Sequence, residues 1–168
     1  MDRFGLIVLI AIVIAAAAFA SGTRLASASR RYVVFRLGRF LRVSGPGLVI
    51  ALPLIDRLVS VDLGERLARI ESAEATTGQN APVAVDLEVK YKVVDPAKAI
   101  LGVENVDYAV RQAAVRLLGS VLGVTPSAAG LYERERAERE LSGRLREMLA
   151  PLGVELTLVR IREIRRRA

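Results

Sequence analysis

The chain of 168 residues contains no cysteine, no histidine and no tryptophan, and each absence removes a class of function. Without cysteine there is no disulfide framework and no thiolate nucleophile. Without histidine, the commonest metal ligand and the usual general base near neutral pH are missing. Aromatic residues make up 5% of the chain, too few for a base-stacking surface. We therefore expect no catalytic site, no metal, no cofactor and no nucleic-acid partner.

One long uncharged segment stands at the start of the chain. Residues 4–23 are twenty consecutive positions without a charged side chain. A helix of this length measures about 30 Å, which matches the hydrocarbon core of a bilayer, and it satisfies its own backbone hydrogen bonds. The sequence therefore predicts a transmembrane anchor over residues 1–23. Its large apolar side chains are Phe4, Leu6, Ile7, Val8, Leu9, Ile10, Ile12, Val13, Ile14 and Phe19.

Arginines follow this segment before any acidic residue. The formal net charge is +7, and residues 24–55 carry six arginines and no acid. Positive charge beside an apolar segment favours the cytoplasmic side and attracts anionic headgroups. We predict a basic connector at residues 24–31 and a single-pass protein of the cell membrane whose main domain is cytoplasmic. The predicted contacts with anionic lipid are Arg24, Arg30, Arg31, Arg36, Arg39 and Arg42.

Other interpretations of the chain remain open. Ala18 and Ala20, followed by Ser21, fit the small-residue pattern of a signal-peptide cleavage site, so the alternative is a secreted or periplasmic binding domain released after Ala20. A buried core helix is a further reading of the apolar segment. A hydrolase is disfavoured because no nucleophile has a base available. Asp56 and Asp62 flank a predicted strand, where a surface or capping role fits better than acid–base chemistry.

Strand patterns fill the first part of the remaining chain. The predicted strands cover residues 32–35, 40–43, 48–52, 58–63, 66–76 and 82–93. The last of these alternates strictly, which indicates one buried face and one wet face. Gly45-Pro46-Gly47 predicts a turn. We interpret the apolar run at 48–52 as a buried strand, with insertion into the membrane interface as the alternative.

Helical patterns follow, and a last strand closes the chain. Asp95 and Pro96 predict the capped start of a short helix at 97–101, and Asn105 predicts the start of a helix that Gly123 ends. The remaining predicted elements are helices at 106–122 and 131–149 and a strand at 154–164. In the last strand the alternation changes phase, which indicates a bulge or the end of pairing. Strands followed by segregated helices indicate an α+β domain with a mostly antiparallel sheet and packed helices.

Several short motifs occur in a fixed order along residues 30–164. They begin with Y-V-V-F-R-L-G-R at 32–39. They also include the glycine–proline turn at 45–47, the Val–Asp pair at 61–62 and the Asp–Pro pair at 95–96. The motif residues are Gly45, Pro46, Gly47, Pro53, Asp56, Asp62, Asp95 and Pro96. Together they resemble a stomatin-type SPFH domain, also called the band 7 or prohibitin-homology domain. The resemblance places this domain at residues 32–164, followed by a basic tail at 165–168.

The resemblance implies a function without catalysis. Members of this family are membrane-anchored scaffolds that oligomerise at the membrane surface and organise or modulate membrane proteins and lipid microdomains. The expected partners are membrane lipids, further copies of the chain, and a membrane protein of the NfeD type or a membrane protease. Relatives normally continue into a long charged helix. This sequence stops at residue 168, so we expect a short form lacking that helix, either natural or truncated.

Overall fold

The computed structural model describes residues 5, 7–9, 12–13, 23–52, 54–124 and 131–166. Within the predicted anchor, the described positions are helical and their large apolar side chains are exposed. No helix among the described residues is long and apolar enough to cross a membrane. The anchor residues Phe4, Leu6, Ile10, Ile14 and Phe19 lie outside the described residues. The transmembrane anchor therefore stays a prediction.

The chain divides into two compact units, Met1–Leu63 and Gly64–Ala168. The N-terminal unit contains five strands in two antiparallel sheets, one with the order β1-β4 and one with the order β3-β2-β5. The strands are β1 Thr23–Ala26, β2 Arg30–Arg36, β3 Arg39–Ser44, β4 Gly47–Ile50 and β5 Asp56–Asp62. β2 is the central strand of its sheet, and its β-branched residues Val33 and Val34 are completely buried.

Two predictions for the N-terminal unit need correction. The segment 24–31 was expected to be a connector, but its first residues form β1, which pairs with β4. The run at 48–52 was expected to be buried as a whole, but only Val49 and Ala51 are buried, while Leu48 is largely exposed. Paired strands point successive side chains to opposite faces, and only one face of this sheet is covered.

The C-terminal unit is a three-stranded antiparallel sheet packed against helices. Its elements are β6 Arg66–Thr76, β7 Pro82–Val93, α1 Pro96–Gly102, α2 Val106–Gly123, α3 Leu131–Leu149, a short 3-10 turn Ala150–Leu152 and β8 Val154–Arg166. The strand order is β6-β7-β8. The central strand is therefore β7, whose apolar and polar residues alternate strictly. The predicted α+β class and the antiparallel pairing are confirmed for the described residues.

One hydrophobic core holds this unit together. The alternating residues of β7 face the helices, and all six predicted apolar positions are buried: Val83, Val85, Leu87, Val89, Tyr91 and Val93. They pack with Val110 and Leu118 of α2 and with Leu141 and Leu145 of α3. On α3, Ala137 also takes part in the core, whereas Met148 is exposed. Burial of each large apolar side chain contributes roughly 1.5–3 kcal/mol.

The helix starts follow the predicted capping residues. The Asp95 carboxylate accepts hydrogen bonds from the backbone N–H groups of Ala97 and Lys98, each at 3.1 Å. Asn105 accepts one from Tyr108 at 3.1 Å. The predicted end of α2 is wrong: Gly123 belongs to the last turn, and the capping residue Val124 has a right-handed backbone. A glycine was not required there because no left-handed position follows the helix directly.

The predicted irregularity in β8 is confirmed. Its pairing with β7 skips Thr157 and Arg162, which makes each of them the extra residue of a bulge. Skipping Thr157 moves the buried positions from Leu156 to Val159 and Ile161. The strand can therefore keep its apolar residues on the core face although their spacing in the sequence is irregular.

Gly153, which leads into β8, provides a test of this packing. Its φ is +65°, and an added Cβ would lie 2.6 Å from the carbonyl oxygen of Asp95. We expect Gly153→Ala to lower the free energy of unfolding by roughly 1–3 kcal/mol, because it adds both backbone strain and a clash. The control is Gly119→Ala in α2, where no atom lies within 4 Å and alanine should stabilise the helix by up to about 1 kcal/mol.

The measurement is chemical unfolding of the full chain followed by circular dichroism. The account of this turn predicts shifts of opposite sign for the two variants. Equal shifts would contradict it, because a general effect of adding a methyl group would then explain both.

Candidate membrane-facing surface

A carboxylate clamp joins three segments of the N-terminal unit. Asp56, at the start of β5, lies opposite Arg36, at the end of β2. The Arg36 guanidinium donates from Nε to Asp56 Oδ1 at 2.8 Å and from Nη2 to Oδ2 at 3.0 Å. The backbone N–H of Leu52 donates to Oδ2 at 2.9 Å. The Asp56 side chain is only 2% exposed, whereas the Arg36 side chain is 44% exposed, so water reaches the guanidinium side of the clamp.

These contacts favour the ionised form of the carboxylate. The hydrogen bond from Arg36, followed by that from the Leu52 N–H, lowers the pKa of Asp56 to about 2. The same carboxylate raises the pKa of Arg36. Asp56 is therefore a structural anion at neutral pH, which agrees with the predicted capping role.

The clamp sets the path of the loop between β4 and β5. The Leu52 carbonyl accepts hydrogen bonds from the N–H groups of Ile55 and Asp56 at 3.3 and 2.9 Å. The Ile55 carbonyl accepts one from the N–H of Leu37, in the turn between β2 and β3, at 3.1 Å. The loop and the turn are thus held together. We call the four residues Leu37, Leu52, Leu54 and Ile55 the apolar tip.

The apolar tip is exposed in an unusual way. Leu54 is fully exposed and Leu37 is 80% exposed. Both have a left-handed backbone, with φ of +73° and +50° respectively. Residues other than glycine, asparagine and aspartate seldom adopt this conformation, and a turn in water normally carries a polar residue there. Two leucines exposed on such a backbone indicate a surface that contacts an apolar partner or environment.

Further apolar side chains on the same unit are exposed. On β3 they are Phe40, Leu41 and Val43, and on β4 they are Leu48 and Ile50. Phe40 contacts Phe35 edge to face, with ring centroids 6.3 Å apart. Single exposed apolar residues are common in soluble proteins, but this many in one small unit mark an interaction surface. The tip was not predicted because an apolar run in a sequence does not show which of its side chains point outward.

Three of the predicted lipid-contacting arginines already have protein partners. Arg36 is held by Asp56. Arg31 donates to the carbonyls of Ala28 and Arg30, and Arg42 donates to the carbonyl of Ile50 at 3.3 Å. These contacts stiffen the side chains but leave their positive charge in place. Contact of the six arginines with lipid stays a prediction.

Other arginines lie close to the tip. Arg39 begins β3 directly after the turn that contains Leu37, and Arg57 follows Asp56 in β5, opposite Phe35. Arg57 was not predicted as a lipid contact because it follows Asp56, the first acidic residue after the apolar segment. Two other predicted lipid contacts lie elsewhere: Arg24 is in β1, and Arg30 is at the opposite end of β2, in register with Asp62. The tip is therefore bordered by positive charge on both strands that lead to it.

The family-motif residues occupy turns and caps. The Gly45–Pro46 peptide is cis, and Gly45 and Gly47 have φ of +112° and +108°, so the predicted turn between β3 and β4 requires both glycines. Asp56 and Asp62 are the first and last residues of β5. Asp95 and Pro96 form the cap of α1. Pro53 lies outside the described residues.

The polar groups buried in the C-terminal unit form a structural tie. The Tyr91 hydroxyl donates to the Asp107 carboxylate, which Arg66 contacts at 3.2 Å. Burial, followed by the contact with Asp107, raises the pKa of Tyr91, so the hydroxyl stays neutral and links α2 to the sheet. In the described parts of the chain, no group of three acidic, histidine or cysteine side chains could hold a metal ion. The absence of a catalytic site stays a prediction.

The Asp56 clamp predicts a dependence of stability on pH. Its pKa of about 2 lies below the usual 3.8, so the clamp stabilises the folded chain fully above about pH 4 and loses this effect as the pH falls towards 2. We expect the Asp56→Asn variant to have a lower melting temperature than the parent chain at neutral pH. This difference in melting temperature should disappear by about pH 2. Thermal unfolding followed by circular dichroism measures both chains. A deficit that stays constant across this range would contradict the assignment.

Comparison with known proteins places the chain in one family. Residues 25–166 match the family model described as "SPFH domain / Band 7 family". A stomatin homolog of Pyrococcus horikoshii is 34% identical over 145 residues, covering 86% of this chain and 54% of the relative. Stomatin-1 of Caenorhabditis elegans is 32% identical over 137 residues, covering 81% and 42%. Stomatin of Mus musculus is 30% identical over 137 residues, covering 80% and 48%.

The chain thus spans about half the length of the curated relatives it matches. The match covers both units and all strands and helices from β2 to β8. The resemblance seen in the sequence motifs is therefore confirmed, and the chain belongs to the SPFH domain / band 7 family, with a stomatin-type domain.

Proposed function

We propose that this protein is a non-catalytic scaffold associated with the cell membrane, where its copies assemble side by side and organise or modulate membrane proteins and lipid microdomains. The observation that carries the proposal is the apolar tip, with Leu37 and Leu54 displayed outward on a backbone fixed by the Asp56 clamp. Membership of the stomatin-type family supports it.

The free energies involved favour lipid as the surface that the tip meets. Moving one exposed leucine out of water is favourable by roughly 1.5–3 kcal/mol. Each arginine near an anionic surface adds about 1 kcal/mol. Arg39 and Arg57 are suitably placed for this second contribution. The pairing of Arg36 with Asp56 reduces the cost of bringing the base of the tip towards the membrane, because a neutralised pair loses less hydration than a lone charge.

The topology in this proposal follows from the start of the chain. Residues 1–23 cross the membrane once, and the arginines that follow keep the main domain in the cytoplasm. The tip then lies on the same membrane that the anchor crosses. The proposed partners are membrane lipids, further copies of this chain, and a membrane protein of the NfeD type or a membrane protease; no nucleic acid takes part.

A single-cysteine experiment tests the contact of the tip with lipid. The chain has no cysteine, so Leu54→Cys creates a unique labelling position. The full chain is reconstituted in vesicles that contain anionic lipid, and an environment-sensitive fluorophore is attached. We expect a blue-shifted emission that brominated lipids quench. The matched control is Tyr108→Cys, an exposed position on α2 of the other unit, where we expect a water-like emission without quenching.

Each outcome bears on the proposal. Quenching at position 54 alone supports a membrane-facing N-terminal unit. Water-like emission at both positions would contradict it, since the most exposed leucine of the tip would then remain in water although the protein is in a membrane. Quenching at both positions would also contradict it, because the contact would not be specific to the tip.

A further inference from the structure

The pairing of β3 with β2 contains a bulge. Arg42 lies opposite Val34 of β2, and Phe40 lies opposite the next residue of β2, Phe35. Leu41 has no partner in this pairing and is therefore the extra residue of the bulge. Because an extra residue reverses the alternation beyond it, the faces of β3 cannot be read directly from the order of its residues.

The bulge gives β3 one basic and one apolar face. Simple alternation would place Phe40 and Arg42 on the same face of the strand. With the bulge, Arg42 shares a face with Arg39, and Val43 shares the other face with Phe40. All four side chains are exposed. Since β3 is also the edge strand of its sheet, it presents both faces at the surface of the N-terminal unit.

The side-chain contacts agree with these two faces. On the apolar face, the rings of Phe35 and Phe40 meet edge to face, with centroids 6.3 Å apart. On the basic face, Arg39 lies opposite Arg36, whose guanidinium binds Asp56. Arg39 itself has no hydrogen bond or ion pair with another described residue. Its charge is therefore available to a partner.

Arg42 lies near the same carboxylate. It donates one hydrogen bond to the carbonyl of Ile50 at 3.3 Å. After the hydrogen bonds from Arg36 and from the Leu52 N–H, the positive charge of Arg42 also helps to lower the pKa of Asp56 to about 2. Arg36 and Arg42 therefore lie on the same face as Asp56.

Positive charge remains on the basic face when every charged group is counted. The arginines at 36, 39 and 42 face the single carboxylate of Asp56, which leaves two positive charges. At the far end of β2, Arg30 lies in register with Asp62, so this pair adds no net charge. The arginines of the opposite face, at 31 and 57, lie in β2 and β5, outside β3. Residues 23–63 contain seven arginines, two aspartates and no other charged residue, a net charge of +5.

We propose that β3 lies in the membrane interface as an amphipathic strand, with Phe40 and Val43 among the acyl chains and with Arg39 and Arg42 bound to the phosphate groups of anionic lipids. The inference rests on the proposed function, because it requires the N-terminal unit to face the membrane. Guanidinium groups bind phosphate oxygens through paired hydrogen bonds. Their long side chains let the charge reach the headgroups while the apolar face lies deeper.

Anionic lipid fits this strand better than a second copy of the chain does. A second copy carries the same excess of arginine on this unit, so like charges would meet. An anionic lipid supplies both an apolar region and a negative charge, as the two faces of β3 require. Position supports the same choice: β3 begins directly after the turn that contains Leu37, so the strand continues from the apolar tip.

A label on the apolar face of β3 tests the inference. Phe40→Cys is introduced into the full chain, which contains no other cysteine, and an environment-sensitive fluorophore is attached. The chain is reconstituted in vesicles of phosphatidylcholine and phosphatidylglycerol whose acyl chains are brominated. The measured quantity is the ratio of quenched to unquenched label. We expect quenching, and a lower ratio in vesicles of phosphatidylcholine alone.

An exchange of two neighbouring residues tests the sorting of the faces. Arg42→Val combined with Val43→Arg keeps the composition and the net charge but moves an arginine to the apolar face. We expect this variant to lower the ratio about fivefold, because a charge then lies on the side of the acyl chains. Circular dichroism checks the fold of the variant.

A matched pair of single substitutions covers the case in which the exchanged variant does not fold. Arg39→Gln removes one charge without breaking a contact in the described part of the chain and should lower the ratio about fivefold. Arg116→Gln removes the same charge from an exposed position on α2 of the other unit and should leave the ratio within about twofold of the parent value. Inorganic phosphate, added at constant ionic strength, should not change the ratio.

This inference and the proposed function can fail separately. Quenching at position 54 without quenching at position 40 would overturn the inference and leave the membrane-facing tip intact, whereas no quenching at either position would overturn both. Equal effects of Arg39→Gln and Arg116→Gln, or an unchanged ratio after the exchange of Arg42 and Val43, would also overturn the inference. Loss of quenching on addition of inorganic phosphate would assign the arginines to a soluble anion instead of a lipid headgroup.

Discussion

The Asp56 carboxylate is the constraint on which the N-terminal unit depends. It gathers the Arg36 guanidinium and the Leu52 N–H within hydrogen-bonding distance, so β2, β5 and the end of the β4 segment are fixed to one another. The Leu52 carbonyl accepts from the N–H groups of Ile55 and Asp56, and the N–H of Leu37 donates to the Ile55 carbonyl, so this loop is tied to the turn after Arg36. The ion pair between Arg36 and Asp56 thus lies at the base of the exposed apolar tip.

The C-terminal unit follows the opposite arrangement. Its apolar side chains lie between the sheet and the helices, and its charges pair across the open face of the sheet, as Arg165 does with Asp86. The buried polar group Tyr91 is satisfied by Asp107. This unit therefore has one hydrophobic core between a sheet and its helices.

The elements that were predicted best are those whose signal is local and periodic. β7 and α3 have the predicted bounds, because alternation and helical spacing run uninterrupted through both. Asp95 and Asn105 were assigned correctly, since a cap depends on side-chain chemistry within a few residues.

The parts that sequence reasoning missed depend on non-local contacts. The pairing of β1 with β4 joins segments about twenty residues apart, and it decides which residues of the run at 48–52 are exposed. The left-handed backbone of Leu37 and Leu54 has no residue signature, because leucine is not expected there. Arg57 was not predicted because its relevance comes from its position opposite Phe35, next to the apolar tip.

The intact mass of the protein recovered from washed membranes tests the central claim of membrane association most directly. Cells expressing the full chain are fractionated, the membranes are extracted at alkaline pH, and the retained protein is weighed by mass spectrometry. The account predicts that the membranes retain a mass corresponding to all 168 residues, 18.2 kDa. A mass that corresponds to a chain beginning at Ser21, or recovery of the protein in the soluble fraction, would contradict this account. Either result would instead indicate an exported domain.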